Sequence, residues 1–177
     1  FRNSTVYGAS PKMRFDLVVN NLAALAYTTG EIKMDSDGTP WRPLVHVKDV
    51  SNATILALNS PINLIHKQII NIGNNRSNYQ IKELAEIISH VFPGCKVSLN
   101  PNGADKRNYK VRFDKISQVL PDFSCSWDVE KGARELKTIF ENVKLTKEDF
   151  TSGKYIRLKA ISQLQKAGKL DTFLHWR

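Results

Sequence analysis

The decameric stretch from Trp41 to Val50, W-R-P-L-V-H-V-K-D-V, sets an arginine just ahead of a short apolar strand and an aspartate at the opening of a helix. A guanidinium fork at Arg42 matches two phosphate oxygens at once. The same arginine beside Trp41 could instead lie over the indole ring as a surface cation–π pair. Arg107 is a second candidate for an anionic ligand because it falls in a loop, where binding residues concentrate. Lys106 and Arg112 compete with it for that role. Arg14 and Asp16 sit before an apolar-periodic run, and a helix N-terminus there would favour an anion. Asp16 is better read as the cap of that helix, since a carboxylate facing a phosphate repels it. Asn20 and Asn21 are supporting hydrogen-bonders; Asn21 shares a face with apolar residues and, if buried, needs a partner.

His46 titrates near neutrality by type, but inside L-V-H-V it reads as a structural strand residue and not as a general base. His66, His90 and His175 have no cysteine or carboxylate at metal-ligand spacing, so no metal site is expected. Cys95 and Cys125 are far apart and fit a reducing compartment such as the cytoplasm. Tyr7 is not half of a Tyr-x-x-x-Lys pair, because Pro11 stands four residues on.

These residues need a frame, and the pattern supplies an α/β one. Residues 2–7 are β-prone and run into Gly8, Ser10 and Pro11. From Asp16, Leu17, Val18, Asn21, Leu22, Leu25 and Ala26 recur at helical spacing, and Gly30 stops them. Short strands are expected at 31–34, 44–47, 68–72 and 96–99, with an extended stretch at 109–113. Asp49 is the expected N-cap of a helix reaching Leu58. Further helices are expected over 81–91, from Asp114 to Leu120, and from Asp128 to Val143; Tyr155, Leu158, Ile161 and Leu164 mark a last amphipathic one.

The 177 residues are 41% apolar and 24% charged, as a globular chain is. No apolar run nears the roughly 20 residues of a membrane span. The net charge is +9, and 129–177 holds eleven Lys/Arg against six Asp/Glu. No long basic run interleaves with aromatics, so the charge reads as a solvated face and no nucleic-acid partner is expected.

Four pieces in order resemble the extended short-chain dehydrogenases/reductases, the NAD-dependent epimerases and dehydratases of nucleotide sugars. They are R-x-x-x-V-Y-G at 2–8, G-T-P-W-R-P-L-V-H-V-K-D-V at 38–50, I-N-I-G at 70–73, and D-K-R-N-Y at 105–109 followed by D-K-I at 114–116. The likeness covers roughly 2–140. It implies the C-terminal end of a Rossmann-type doubly wound sheet plus a small α/β substrate-binding lobe over 1–145, then a basic helical tail over 146–177. Under it Arg42, Arg107, Arg14, Asn21 and Thr5 bind a nucleotide-diphosphate sugar, and Thr5, Val6 and Tyr7 border an NAD nicotinamide. The glycine-rich cofactor loop and the catalytic Tyr-x-x-x-Lys pair are expected in an absent amino-terminal half, in the same or a separate chain, so no catalytic residue is assigned. Residues 2–7 would then leave a sheet edge for that half to pair with. A non-catalytic module that binds nucleotide sugars or stabilises a partner is the alternative, a basic nucleic-acid binder a weaker third, and a homodimer is compatible with the family.

Overall fold

The computed structural model describes residues 1–100, 107–153 and 155–177. In chain order the strands and helices are β1 (Arg2–Asn3), β2 (Thr5–Tyr7), α1 (Val18–Thr29), β3 (Glu31–Lys33), β4 (Trp41–His46), α2 (Val47–Asn59), α3 (Ile62–Ile65), β5 (Asn71–Ile72), β6 (Asn78–Gln80), α4 (Ile81–Val91), β7 (Lys96–Ser98), α5 (Asp114–Val119), α6 (Val129–Asn142), α7 (Lys147–Thr151) and α8 (Arg157–Lys166).

The expected strand over 2–7 is two short ladders. β1 pairs parallel with β5, and β2 pairs parallel with β4 in the register Thr5↔Leu44 to Tyr7↔His46. The change of partner falls at Ser4, whose N–H and Oγ–H both donate to the Ile72 carbonyl. β4 also carries β6 antiparallel, and β3 pairs parallel with β7.

β4 divides the core. Side chains alternate across a strand, and Leu44 enters one apolar cluster while Val45 enters the other. The larger cluster lies among α1, α4 and α6, with Val19, Leu22, Ala23 and Ala26 meeting Leu84, Ile88, Ala133, Leu136 and Phe140. The smaller one holds Ala53, Ile70, Ile72, Phe113, Ile116 and Leu120. Leu145, at the end of the lobe, and Phe150 of the tail join the larger cluster, which seats α7 against the main body.

Several local expectations need correction. Asp16 does not cap α1: Leu17 holds that position without a side-chain bond, and Asp16 is turned to Arg14 at 2.5 Å. Asp49 does not cap α2: His46 does, its Nδ1 accepting from the Lys48 N–H, while Asp49 is buried in the first turn. Residues 109–113 form no strand. The Asn78 side-chain amide pairs with the N–H and C=O of Val111 as a strand neighbour would, and Asn75 Oδ1 accepts from the Phe113 N–H. In α8 no residue is fully buried: of the expected stripe, Leu158 is 81% exposed and Ile161 and Leu164 are half-buried, and only Tyr155, just before the helix, packs on the larger core.

Other helix ends follow the sequence. Gly30 closes α1 in the left-handed region at φ 68°, its N–H returning to the Ala26 carbonyl. Asp128 caps α6 through the Lys131 N–H. Gln80 and Glu83 form a capping box on α4.

Candidate functional site

A cavity of about 360 Å³ opens where β2, β3 and β4 meet the start of α1. Its wall includes Thr5, Asp16, Asn21, Lys33, Asp35, Ser36, Arg42 and Arg107. Of the five substrate candidates read from sequence, Thr5, Asn21, Arg42 and Arg107 are gathered here, from segments up to a hundred residues apart. Arg14 is not among the lining residues; it is held by Asp16 outside. Lys106 and Asp105 lie outside the described residues. Arg112 is 90% exposed and ion-paired to Asp114 at 2.7 Å, away from this wall.

Arg42 is only 4% exposed. Its Nη1 donates to the Trp41 carbonyl at 2.8 Å and to the Arg107 carbonyl, and its guanidinium lies 5.8 Å from the Tyr109 ring centroid. The surface alternative for Arg42 over Trp41 is therefore replaced: Lys110 occupies that ring face at 3.4 Å. Trp41 N–H donates to Asn108 Oδ1, so the 107–109 loop is laced to β4 and Arg107 is carried to the cavity mouth.

The segment between β2 and α1 is pinned by the two asparagines. Asn20 is buried; its Oδ1 accepts from the Gly8 N–H and its Nδ2 donates to the Arg14 carbonyl. Asn21 Nδ2 donates to the Phe15 carbonyl at 2.8 Å, and the residue also faces the cavity. The buried Asn20 and half-buried Asn21 thus satisfy loop backbone. Because no side chain caps α1, its first turn, with Leu17 and Val18, meets the cavity directly. The Arg14 hydrogen bond holds Asp16 below the usual carboxylate range, with Arg157 adding to it.

Lys33, Asp35 and Ser36 were not singled out on sequence. They arrive because β3 turns back along α1 after Gly30, with β7 paired on its other edge. The cavity therefore combines three cations with two carboxylates.

Below it stands a buried polar lock. His46 is fully buried, stacked on Trp127 at 4.1 Å and edge-on to Tyr7 at 5.2 Å. Its Nε2 meets Glu135 Oε2 at 2.9 Å, and Glu135 Oε1 takes Lys48 Nζ at 2.6 Å. Since Nδ1 accepts from the Lys48 N–H, the neutral ring carries its proton on Nε2 and donates it to Glu135. Glu135 Oε2 also accepts from the Ala9 N–H, which ties the loop to α6. Burial pushes the imidazole below its ordinary range, against the pull of Glu135. This is the structural role expected of His46. Asp49 works similarly: buried, it accepts from the Ser126 N–H and Oγ–H and from the Trp127 N–H.

Among the cofactor candidates only Thr5 reaches the cavity wall. Tyr7 is 3% exposed in the larger core, and Val6 packs on the smaller one. One absence expected on sequence is wrong. The spacing Tyr-x-x-x-Lys does occur, at Tyr155 and Lys159 in the tail. Tyr155 precedes α8 and packs on Phe15 at 4.8 Å, while Lys159 Nζ donates to the Thr151 carbonyl.

Strand order, the uncapped α1 start and the arginine pair invite comparison with known proteins. Residues 1–73 match the model of the NAD dependent epimerase/dehydratase family. The fold is the Rossmann-type α/β fold of such enzymes. An NAD-dependent NDP-hexosamine 5,6-dehydratase of tunicamycin biosynthesis superposes with a TM-score of 0.68 at 19% identity, over 80% of this chain and 45% of that one. The ADP-L-glycero-D-manno-heptose-6-epimerase of Helicobacter pylori gives 0.64 at 20% identity, over 79% and 42%. The UDP-glucuronic acid 4-epimerase of Bacillus cereus, solved with UDP-glucuronic acid and NAD, gives 0.64 at 21%, over 78% and 44%. At these identities the likeness is one of fold, and the chain spans less than half the length of each. Among the described residues, no helix is long and apolar enough to cross a membrane.

Proposed function

We propose that this chain is the substrate-binding part of an NAD-dependent nucleotide-sugar epimerase or dehydratase, and that the cavity at Arg42 and Arg107 grips the sugar nucleotide's diphosphate. One observation carries the reading: the uncapped start of α1 and the two arginines, from three separate segments, face one cavity. A helix N-terminus and guanidinium groups both favour phosphate oxygens. Asn21 and Thr5 line the same wall and would orient the ligand beside them. Of the residues expected at the nicotinamide, only Thr5 stands at the wall, so the described residues do not by themselves fit a dinucleotide, and no step is assigned to one. An amino-terminal dinucleotide-binding half, in the same polypeptide or a separate one, would supply the cofactor loop and the proton-transferring tyrosine.

Arg107→Ala tests the reading, because it removes the guanidinium but keeps the carbonyl that Arg42 uses. Calorimetric titration with UDP, GDP, ADP, CDP and dTDP, and with the matching nucleosides, is expected to show a diphosphate bound far more tightly than its nucleoside. Arg107→Ala should weaken that binding about tenfold, in the range of one charge-assisted bond. Equal affinity for nucleoside and diphosphate, or an unchanged affinity in the variant, would overturn the assignment.

A further inference from the structure

The chain after α8 is folded and not loose. It reverses as a hairpin: Leu170 and Trp176 form an antiparallel bridge, the Asp171 N–H donates to the His175 carbonyl at 3.0 Å, and the Arg177 N–H donates to the Lys169 carbonyl at 3.1 Å. Asp171 Oδ1 holds the turn from inside, accepting from the Phe173 and His175 N–H groups at 2.8 and 2.9 Å. Leu170 is buried, and Gln165 Nε2 donates to the Asp171 carbonyl, so the hairpin is seated on the end of α8.

A hairpin closed in this way fixes which side chains face out. Phe173, Leu174 and Trp176 are 78%, 51% and 73% exposed. Leu174 is held at φ +66°, where a leucine seldom sits, so its exposure follows from the turn and not from slack chain. Leu158 lies about two helical turns before Gln165, on the same face of α8, and is exposed as well. A single apolar side chain in water needs no explanation; four of them gathered in α8 and its hairpin do.

The charge around them is of one sign. From Tyr155 to Arg177 the side chains of Arg157, Lys159, Lys166, Lys169 and Arg177 stand against the single carboxylate of Asp171. All five cations are exposed, and among the described residues none of them is in an ion pair. Asp171 does not neutralise them: Oδ1 serves the hairpin, and Oδ2 lies 3.5 Å from His175 Nδ1.

Exposed aromatic rings among unpaired cations match an anionic lipid surface. Indole rings settle at the level of the headgroups, while lysine and arginine meet lipid phosphates and lay their stems along apolar groups. Shallow apolar insertion and a basic cluster are each marginal alone and hold together when combined, and neither needs a spanning helix. We infer that α8 and its hairpin are a docking surface for an anionic membrane, with Phe173, Leu174 and Trp176 entering the headgroup layer and the surrounding lysines and arginines facing lipid phosphates. The inference is independent of the diphosphate reading, and it gives a role to a basic tail that contributes no residue to the cavity wall.

Sedimentation with vesicles of phosphatidylcholine alone, and of phosphatidylcholine mixed with phosphatidylglycerol, tests it. The protein should bind the anionic vesicles at least about tenfold more tightly than the neutral ones, with a smaller ratio at higher salt. Phe173→Ala and Trp176→Ala should each weaken binding about tenfold, and Lys166→Ala and Lys169→Ala about fivefold each. Leu58→Ala, at 79% exposure on α2, and Lys115→Ala, an exposed cation of α5, are the matched controls and should change nothing. Tryptophan emission should shift to shorter wavelength on anionic vesicles, and Trp176→Phe should abolish that shift while keeping most of the binding. Absence of binding to the anionic vesicles overturns the inference. So does binding that survives both aromatic-to-alanine variants, binding that falls equally in the two controls, or an emission shift that persists in Trp176→Phe. Poly-L-glutamate bound as tightly as the vesicles, with the same loss in Trp176→Ala, would point to an acidic protein and overturn it too.

Discussion

Among the described residues, replacing Gly8 with alanine should cost more stability than any other single-methyl addition at a turn. Gly8 sits at φ +102°, a region L-residues rarely adopt, and it is where β2 ends and the loop to α1 begins. A Cβ there would stand 2.1 Å from His46 Nε2, 2.5 Å from Cδ2 and 2.8 Å from Cε1. The imidazole cannot step aside cheaply. It is stacked on Trp127, bonded through Nε2 to Glu135, and bonded through Nδ1 to the Lys48 N–H. Backbone strain contributes about 1–2 kcal/mol, and overpacking of a fixed core about 1–3 kcal/mol. The sum, roughly 2–5 kcal/mol, is a large part of a typical folding free energy. For a domain of this size it corresponds to a melting temperature lower by roughly 5–20 °C. Gly30→Ala is the matched control: its φ is +68°, but nothing lies within 4 Å of the added carbon, so only the strain applies. Urea unfolding and thermal melts of the two variants, followed by circular dichroism, separate the contributions. If Gly8→Ala is no less stable than Gly30→Ala, the close approach of loop and imidazole described above is wrong. Because the Gly8 N–H also bonds Asn20, the variant should loosen the loop and weaken nucleoside-diphosphate binding as well.

Asp49→Ala should destabilise the fold by about 2–4 kcal/mol in the same unfolding assay, since it strands the Ser126 and Trp127 N–H donors that a buried carboxylate satisfies. Asp49→Asn should lose about half as much; equal unfolding midpoints for all three proteins would contradict the assigned bonds. Stability should also fall on acidification in two stages. His46, depressed by burial from its ordinary 6.5, binds fewer protons folded than unfolded, so its contribution is complete above pH 6.5 and declines below it. Glu135 is held below its ordinary 4.5 against burial by Lys48, the Ala9 N–H and His46, and its contribution declines below pH 4.5. His46→Gln, which can still donate to Glu135, should remove the first stage of a stability–pH curve and keep the second; an unchanged curve above pH 5 would show that the histidine is not the group responsible.

The cavity residues were readable from sequence where residue type and neighbourhood pointed the same way. Arg42 and Arg107 are cations beside an apolar strand and in a loop, and both reach the cavity wall. Lys33, Asp35 and Ser36 were not readable: β3 turns back along α1 after Gly30 and is held on its other side by β7, and which of its residues then face the cavity is decided by that packing and leaves no mark in residue type. Asp49 misled for a related reason. It has the residue type of a cap, yet its partners lie 77 and 78 residues on, and His46 takes the capping place instead. The stripe at Leu158, Ile161 and Leu164 was a correct helical period that is buried only in part, Leu158 being exposed and the other two half-buried: periodicity tells which face an element would bury, and tertiary packing decides how far it does. Tyr155 and Lys159 show the converse. The spacing is present, but the tyrosine stands before the helix and packs on Phe15, so the spacing alone does not make a catalytic pair.

β4 explains why the stretch around Arg42 was the most legible part of the chain. A strand shows its residues to two faces in turn. On one face Arg42 meets the cavity, Leu44 enters the larger core, and His46 joins the lock with Tyr7, Trp127 and Glu135. On the other face Val45 fills the smaller core. Each position answers to a different physical demand, so few residue types serve at any of them. The strand also sits between β2 and β6, so a register slip would carry Arg42 out of the cavity and His46 away from Glu135 together. Under the proposed diphosphate reading, ligand grip and fold stability are coupled through this one six-residue element. A change that disturbs the lock at His46 should be felt at the diphosphate site, even though it touches no ligand.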